Sequence, residues 1–234
     1  MTHPFDITIA GLVPFTSIDF PDRLAGVVFL QGCPLRCPFC HNPNLQTCCK
    51  TFEFSVEELE SFLKTHQKRL DGIVLSGGEP LLQADIVAFA KWINSFGYQV
   101  GLHTSGVYPD RLQALLPILD WVGLDVKAPW CKYNVITGSR GMARYVEQSL
   151  KILSENSVPF EVRTTCDPRY LEPNDIYQLV DDLKPYNIKT YALQHYRTFD
   201  ADKNPPSNTQ IESFFSDEIL IEFLKNRFST FLVR

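Results

Sequence analysis

Residues 24–42 read LAGVVFLQGCPLRCPFCHN. The first eight, 24–31, are apolar and rich in β-branched residues, and Gly32 bounds them, so they read as a buried strand. From Gly32 to residue 51 the composition turns to Cys, Pro and Asn, which predicts a loop. Cys33, Cys37 and Cys40 crowd into its start as Cys-x3-Cys-x2-Cys. Closely spaced thiolates on one loop can wrap around an iron–sulfur cube. Three of them would ligate three irons and leave a fourth open to another ligand. Other readings of the same residues stand beside this one. A zinc site needs four N or S ligands, usually as paired CxxC units, and no second unit is present. His41 would be a strained co-ligand beside Cys40. Cys37 and Cys40 also fit a CxxC redox pair, and three buried thiols with no joint role are possible.

Outward from this stretch the chain alternates short β-rich runs with helical ones. Strands are expected at 24–31, 72–75, 98–103, 121–126, 160–164 and 189–194. Helices are expected at about 55–70, 82–96, 109–119, 143–156, 173–183 and 209–226. Ser55 with Glu58 forms a capping box, and Ile86, Phe89, Ala90 and Ile93 repeat at helical spacing. A polar, Pro-rich loop spans 196–208, and the apolar run 228–233 can add a further strand. Six strand-then-helix units imply a parallel sheet with helical crossovers, and six rather than eight imply a partial barrel. In such sheets ligands bind beyond the C-terminal strand ends. The notable polar residues fall there: the cysteine loop, SGGEP (76–80), HTSG (103–106), DVK (125–127), the Arg163 segment and LQHYR (193–197).

Bulk properties set limits. The chain has 234 residues, a length suited to one domain, with an N-terminal lead over 1–23, the barrel over about 24–197 and a C-terminal helix and strand over about 209–233. A net charge of −5 gives no sign of a nucleic-acid surface. No apolar run is long enough to cross a bilayer, and residues 1–15 lack the pattern of a signal peptide, so a cytoplasmic protein without a membrane or nucleic-acid partner is expected. Seven cysteines, an odd number without an export signal, argue against a disulfide framework. Cys48, Cys49, Cys131 and Cys166 lack cluster spacing and read as incidental small side chains, with exposure expected for the first two.

Cys-x3-Cys-x2-Cys after the first strand, followed by GGEP after the second, resembles the radical S-adenosylmethionine superfamily over about residues 11–197. The resemblance implies a partial (β/α)6 TIM-like barrel, a 4Fe–4S cluster on Cys33, Cys37 and Cys40, and S-adenosylmethionine on the open iron. It implies that Gly77, Gly78 and Glu79 meet the methionine amino group. Standing alone, those three would read as a plain strand-to-helix turn; after the cysteine loop the ligand reading leads. Asp125 and Lys127 share one face of their strand by the period-two rule. They are similar to the Asp-x-Lys of glycyl-radical-enzyme activases, whose Lys meets the ligand's carboxylate, although a rim ion pair would look the same. His195 resembles an activase His near the adenosine. Arg163 can meet a carboxylate or a ribose, or pair with an acid. Thr104 and Ser105 can reach the ligand. His103 stands where related activases often carry Asp in a proposed cation site, which a His suits poorly.

CHN after the cluster cysteines is typical of the activases. Ser17-x-Asp19-x-Pro21 in the lead resembles the branch that activates anaerobic ribonucleoside-triphosphate reductase, with Phe20 and Asp22 in place of the glycines of the wider group. That branch implies a cluster reduced by flavodoxin or ferredoxin, reductive cleavage to a 5′-deoxyadenosyl radical, and hydrogen abstraction from a glycine Cα of a partner enzyme. A radical enzyme acting on a small molecule, as in deazapurine synthesis, and a non-enzymatic Fe–S or Zn scaffold are the alternatives.

Overall fold

The computed structural model describes residues 3–48, 54–198, 202 and 204–234. Cys49 and part of the 196–208 loop lie outside them. Six parallel strands occupy the expected places: β2 (Ala25–Leu30), β3 (Gly72–Gly77), β4 (Gln99–Thr104), β5 (Trp121–Asp125), β6 (Phe160–Cys166) and β7 (Thr190–His195). Each pairs with the next in chain order. The apolar run near the C-terminus adds β8 (Thr230–Val233), parallel to β7. With an N-terminal strand, β1 (Ile9–Thr16), the sheet has eight strands in chain order, and among the described residues its two edge strands do not pair with each other.

The first strand was not legible in the sequence. β1 (Ile9–Thr16) pairs antiparallel with β2, where a non-strand lead was expected. Gly11 and Pro14 hide it. An edge strand tolerates both, because Pro lacks only the N–H that an outer edge can spare, and the pairing is irregular at both residues' flanks.

The helices differ from expectation where side chains are drawn into long-range bonds. α1 (Val56–His66) starts on the expected capping box, with the Glu58 N–H donating to Ser55 Oγ at 3.1 Å and the Ser55 N–H to the Glu58 carboxylate at 2.7 Å. α2 (Ile86–Asn94) begins later than the periodicity predicts. Pro80–Leu82 forms a 3-10 turn, and the Gln83 amide is spent on the backbone of Thr8 and Gln31. α3 (Pro109–Leu115), α5 (Ala143–Ser154) and α6 (Pro173–Leu183) follow their strands, with a short α4 (Tyr133–Thr137) between. The expected helix 209–226 is two, α7 (Asn208–Glu212) and α8 (Glu218–Arg227), because Asp217 caps the second through the Leu220 N–H at 3.0 Å.

Strand alternation separates two faces. Outward residues such as Leu30, Leu75, Leu102, Leu124, Val162 and Leu193 are fully buried against the helices. Inward residues are mixed. At one end Phe20 covers Gly72 and Gly101, where an added Cβ would lie 2.8 and 3.3 Å from its ring, and it stacks with Trp121 at 6.0 Å. Phe20, Ala25, Val27, Val74 and Trp121 form a separate small core. The lead is thus a plug, and the large residue at position 20 matches two strand glycines that leave it room. Asp22, the second departure, has φ +57°, a left-handed conformation that Gly adopts freely and Asp tolerates. Asp22→Gly should therefore leave stability unchanged or raise it by up to about 1 kcal/mol, while Asp22→Val should lower it; urea unfolding of the three proteins checks the order.

Candidate functional site

The cysteine loop leaves β2 and is held by backbone bonds at both flanks. The Gly32 N–H donates to Leu45 O at 2.8 Å, the Arg36 N–H to Thr137 O at 2.8 Å and the Cys40 N–H to Cys37 O at 3.2 Å. The SGGEP turn locks onto this loop. Gly78 N–H donates to Leu30 O at 2.9 Å and Glu79 N–H to Gly32 O at 2.8 Å. A Cβ on Gly77 would stand 2.3 Å from Leu30 N, and one on Gly78 would stand 2.3 Å from Gly32 O. Gly77 also has φ +118°. These glycines serve first to let two backbones touch, and so place the turn beside the thiols.

Cys33, Cys37 and Cys40 line a single cavity of about 190 Å³ with Gly77, Gly78, Thr104 and Ser105 on one side and Asp125, Lys127 and Arg163 on the other. Strand ends two to six bring them together, as the sequence predicts. The thiols are free. Burial, then the nearby Glu79 carboxylate, pushes Cys33 up to about 12, and burial raises Cys37 as well. Such thiols are protonated at neutral pH and ionise when a metal takes the proton's place. Among the described residues no three Cys, His, Asp or Glu converge on one point as for a single ion. Three soft donors spread around one cavity fit a multi-iron cluster better than zinc.

Two expected contacts are placed differently. The Glu79 carboxylate does not line the cavity. It is fully buried and accepts from Leu81 N–H at 3.0 Å, Thr104 Oγ1 at 2.7 Å, Ser105 N–H at 2.7 Å and Ser105 Oγ at 2.5 Å. Burial raises its pKa against the lowering of those four bonds. Glu79 thus ties the β3 turn to the end of β4, and the hydroxyls of Thr104 and Ser105 are turned toward it. His195 is absent from the small cavity. It points away from Gln194, its ring stacks on Phe215 at 3.5 Å, and Nδ1 lies 3.6 Å from Glu212. Period-two alternation sets it on the other side of its strand from Gln194, yet at the strand end it still borders the larger cavity that adjoins this one.

Asp125, Lys127 and Arg163 form one charged group. Arg163 Nε and Nη2 each lie 2.9 Å from Asp125 Oδ1, and Lys127 Nζ lies 3.4 Å from Oδ2. Lys127 is thus paired with Asp125 and also lines the smaller cavity. Burial would raise the Asp125 carboxyl, but Arg163 and then Lys127 overcome it and hold it at about 2. Burial also disfavours the Lys127 ammonium, yet Asp125 keeps its pKa above the ordinary lysine value.

A second cavity of about 1070 Å³ adjoins the first and shares His103, Asp125 and Arg163 with it. The plug residues Asp19 and Asp22 form one wall, and Glu161 and Arg234 another. Arg234 holds buried Glu161 by two bonds, at 2.8 and 2.9 Å. His103 Nε2 lies 2.9 Å from Asp19 O, and burial, reinforced by Arg163, drives the imidazole down to about 3. A neutral ring tying the plug to β4 is what the structure shows in place of an acid. Because the folded ring resists protonation and the unfolded one does not, stability should fall as pH drops below 6.5. The fall between pH 7.5 and 5.5 should be about 1 kcal/mol, discounted for partial exposure, and His103→Gln should remove that slope in urea titrations.

Two site features, Thr165 and the Glu161–Arg234 pair, and one clamp outside both cavities escaped the sequence reading. Thr165 lines both cavities, and the period-two rule that joins Asp125 to Lys127 would have joined it to Arg163. The Glu161–Arg234 pair and the clamp in which Arg169 holds Asp167 at 2.6 Å and Asp202 at 2.9 Å had no local signal. Of the remaining cysteines Cys48 and Cys131 are exposed and Cys166 is buried.

Comparison with known proteins agrees with this geometry. The family model of the radical SAM superfamily matches residues 27–183, more than half of the chain. A protein of Methanocaldococcus jannaschii named "Putative glycyl-radical enzyme activating enzyme" is 32% identical over 82% of this chain and 81% of its own. The pyruvate formate-lyase-activating enzyme of Clostridium pasteurianum is 30% identical over 76% of this chain and 77% of its own. Among solved structures, a radical SAM methyltransferase from Sphaerobacter thermophilus shares the fold with a TM-score of 0.70 at 15% identity, covering 97% of this chain and 76% of that one. The chain spans about half the length of SuiB from Streptococcus suis, 48% of it, at a TM-score of 0.65 and 15% identity. An open α/β barrel whose second-strand turn is locked onto a three-cysteine loop, matched by the family model and by curated activases, makes this chain a member of the radical SAM superfamily, which uses a 4Fe–4S cluster and S-adenosylmethionine, and within it of the glycyl-radical enzyme activating enzymes.

Proposed function

We propose that this chain activates anaerobic ribonucleoside-triphosphate reductase. The observation that carries the activase reading is the pair of adjoining cavities: the three thiols line the smaller, and the larger, of about 1070 Å³, borders it at His103, Asp125 and Arg163 and would take the partner's glycine segment. The choice of partner rests on the lead, Ser17-x-Asp19-x-Pro21, which forms one wall of the larger cavity.

In this reading Cys33, Cys37 and Cys40 hold the 4Fe–4S cluster. Lys127, kept in place by Asp125, offers its ammonium to the carboxylate of S-adenosylmethionine. The backbone of Gly77 and Gly78 offers carbonyls to the amino group. Arg163 orients Asp125 and leaves its outer edge to the ligand, and Thr165 adds a hydroxyl beside it. Bound together, cluster and ligand supply a 5′-deoxyadenosyl radical able to take a hydrogen atom from a glycine Cα. The residues around them exclude water and hold both reactants at the strand ends. The chain acts as one unit, with residues 208–233 closing the outer face of β7.

The test is anaerobic reconstitution with iron and sulfide, reduction, and addition of S-adenosylmethionine with and without the reductase. We expect 5′-deoxyadenosine in both, and a glycyl-radical doublet by EPR only with the reductase. Deoxyadenosine without a doublet moves the target to another glycyl-radical enzyme or to a small molecule. Absence of both, with an intact cluster, sinks the reading.

A further inference from the structure

Tyr133, the first residue of α4, is fully buried, and its hydroxyl makes no hydrogen bond. Among the described residues only one other buried side-chain atom, the Tyr191 hydroxyl, is left so. A buried polar group without a partner costs about 1–3 kcal/mol, and buried Tyr hydroxyls usually find one. Buried polar atoms are nearly always paired, so one left single beside a binding loop points to what the loop binds.

The chain path sets Tyr133 beside the cysteine loop. β5 ends at Asp125, Lys127 lines the smaller cavity, and the chain turns back through Trp130–Lys132 into α4. The far end of α4 is fastened to the loop. Thr137 Oγ1 donates to Tyr133 O at 2.7 Å, and Thr137 O accepts from the Arg36 N–H at 2.8 Å, one residue before Cys37. Cys37 packs against the core that holds Tyr133.

Burial holds the Tyr133 pKa above the ordinary phenol value, so the hydroxyl keeps its proton. The charges that act on it are those of Lys127, then Cys37 and Asp125. The Lys127 N–H faces its oxygen without completing a bond, which leaves the hydroxyl proton with nothing to bind. The Lys127 ammonium also polarises the O–H and makes it a better donor. As a thiol Cys37 is a weak acceptor. With iron in the place of its proton, that sulfur is an anion and a good one.

We propose that Tyr133 is a positioning residue whose hydroxyl donates to the Cys37 sulfur once that sulfur carries iron, and that this bond raises the reduction potential of the cluster. This rests on the assignment of the cluster to Cys33, Cys37 and Cys40. The physical case is charge. A reduced cluster holds one more negative charge, spread in part onto its sulfurs, so an O–H···S bond is stronger in the reduced state than in the oxidised one. The bond therefore eases the entry of the electron with which the chemistry begins.

The test is a redox titration of the reconstituted protein without S-adenosylmethionine, read by EPR of the reduced cluster. Tyr133→Phe removes only the hydroxyl. It should bind iron and sulfide as the wild type does. Its midpoint should be more negative, with the reduced-to-oxidised ratio at a fixed potential about threefold to tenfold lower, or about 30–60 mV. A ring-fluorinated tyrosine in place of Tyr133, a stronger donor, should move the midpoint the other way, and it reads the same bond if the Phe variant holds the cluster poorly. Tyr191→Phe removes the other unpaired hydroxyl, away from both cavities, and should leave the midpoint unchanged. Urea unfolding of the apoprotein separates a structural role. With no bond to lose, Tyr133→Phe should be as stable as wild type or more so. An unchanged midpoint in both Tyr133 variants overturns the proposal. A less stable apoprotein with an unchanged midpoint assigns the hydroxyl to the fold instead. A wild-type chain that takes up no iron and sulfide overturns the cluster assignment itself, and the proposal with it.

Discussion

Cys37→Ala yields a folded protein that assembles no 4Fe–4S cluster and cleaves S-adenosylmethionine at background rate. The expected loss is complete rather than partial, because among the described residues no other thiol lines the cavity. Cys166 is buried in β6 behind the strand, Cys131 is exposed on another turn, and Cys48 lies past the loop's own turn at Pro43–Leu45. The fold should survive, since Cys37 is only partly buried and the loop is held by backbone bonds at Gly32, Arg36 and Cys40 that the substitution leaves alone. Iron and sulfide analysis, visible absorption and 5′-deoxyadenosine assay check the prediction together. Retained cleavage in a well-folded variant would remove Cys37 from the ligand set. Cys166→Ala is the control, and should cost some stability but no cluster.

Glu79→Ala should be among the most destabilising single changes in the chain, by about 2–6 kcal/mol. The carboxylate is the acceptor for two backbone N–H groups, at Leu81 and Ser105, and two hydroxyls, at Thr104 and Ser105. The hydroxyls can turn to other partners. The two N–H groups cannot, and each orphaned buried donor costs about 1–3 kcal/mol. Glu79→Gln keeps the shape but turns an amide NH2 toward donors, so it should lie between wild type and Ala. Urea unfolding of the apoprotein measures this without reference to the cluster. If Ala and wild type unfold at the same midpoint, the carboxylate is not the tie between β3 and β4 that its bonds describe. A variant that loses ligand affinity while keeping full stability would instead restore Glu79 as a direct ligand contact.

The contrast between Glu79 and Cys37 marks the boundary of what local pattern reveals. Strand and helix alternation depends on side-chain period within one segment, so β2 to β7 and the apolar face of α2 were legible from residue order. The three cysteines were legible because a ligand set on one loop is defined by spacing alone. Asp125 and Lys127 were legible because alternation along one strand assigns a face without knowledge of the neighbours. The resemblance to activases added the expected ligands, and here the residue types carried further than their orientations.

Orientation and pairing belong to the assembled sheet. Whether Glu79 looks into the cavity or back to β4 depends on where Thr104 and Ser105 stand, 25 and 26 residues away. Alternation within the strand already gives His195 the parity of Leu193, but the Phe215 ring on which it stacks comes from the turn between α7 and α8. β1 became a strand because β2 offered an edge, in spite of Gly11 and Pro14. Phe20 became a plug because two glycines on separate strands leave space for its ring. Residue order alone thus settled which elements form and which residues carry the chemistry, since those follow from short-range period and spacing. What Glu79, Phe20 and His195 pack against, and what holds each there, was settled by contacts between segments far apart in the chain, whose energies exist only once the sheet has assembled.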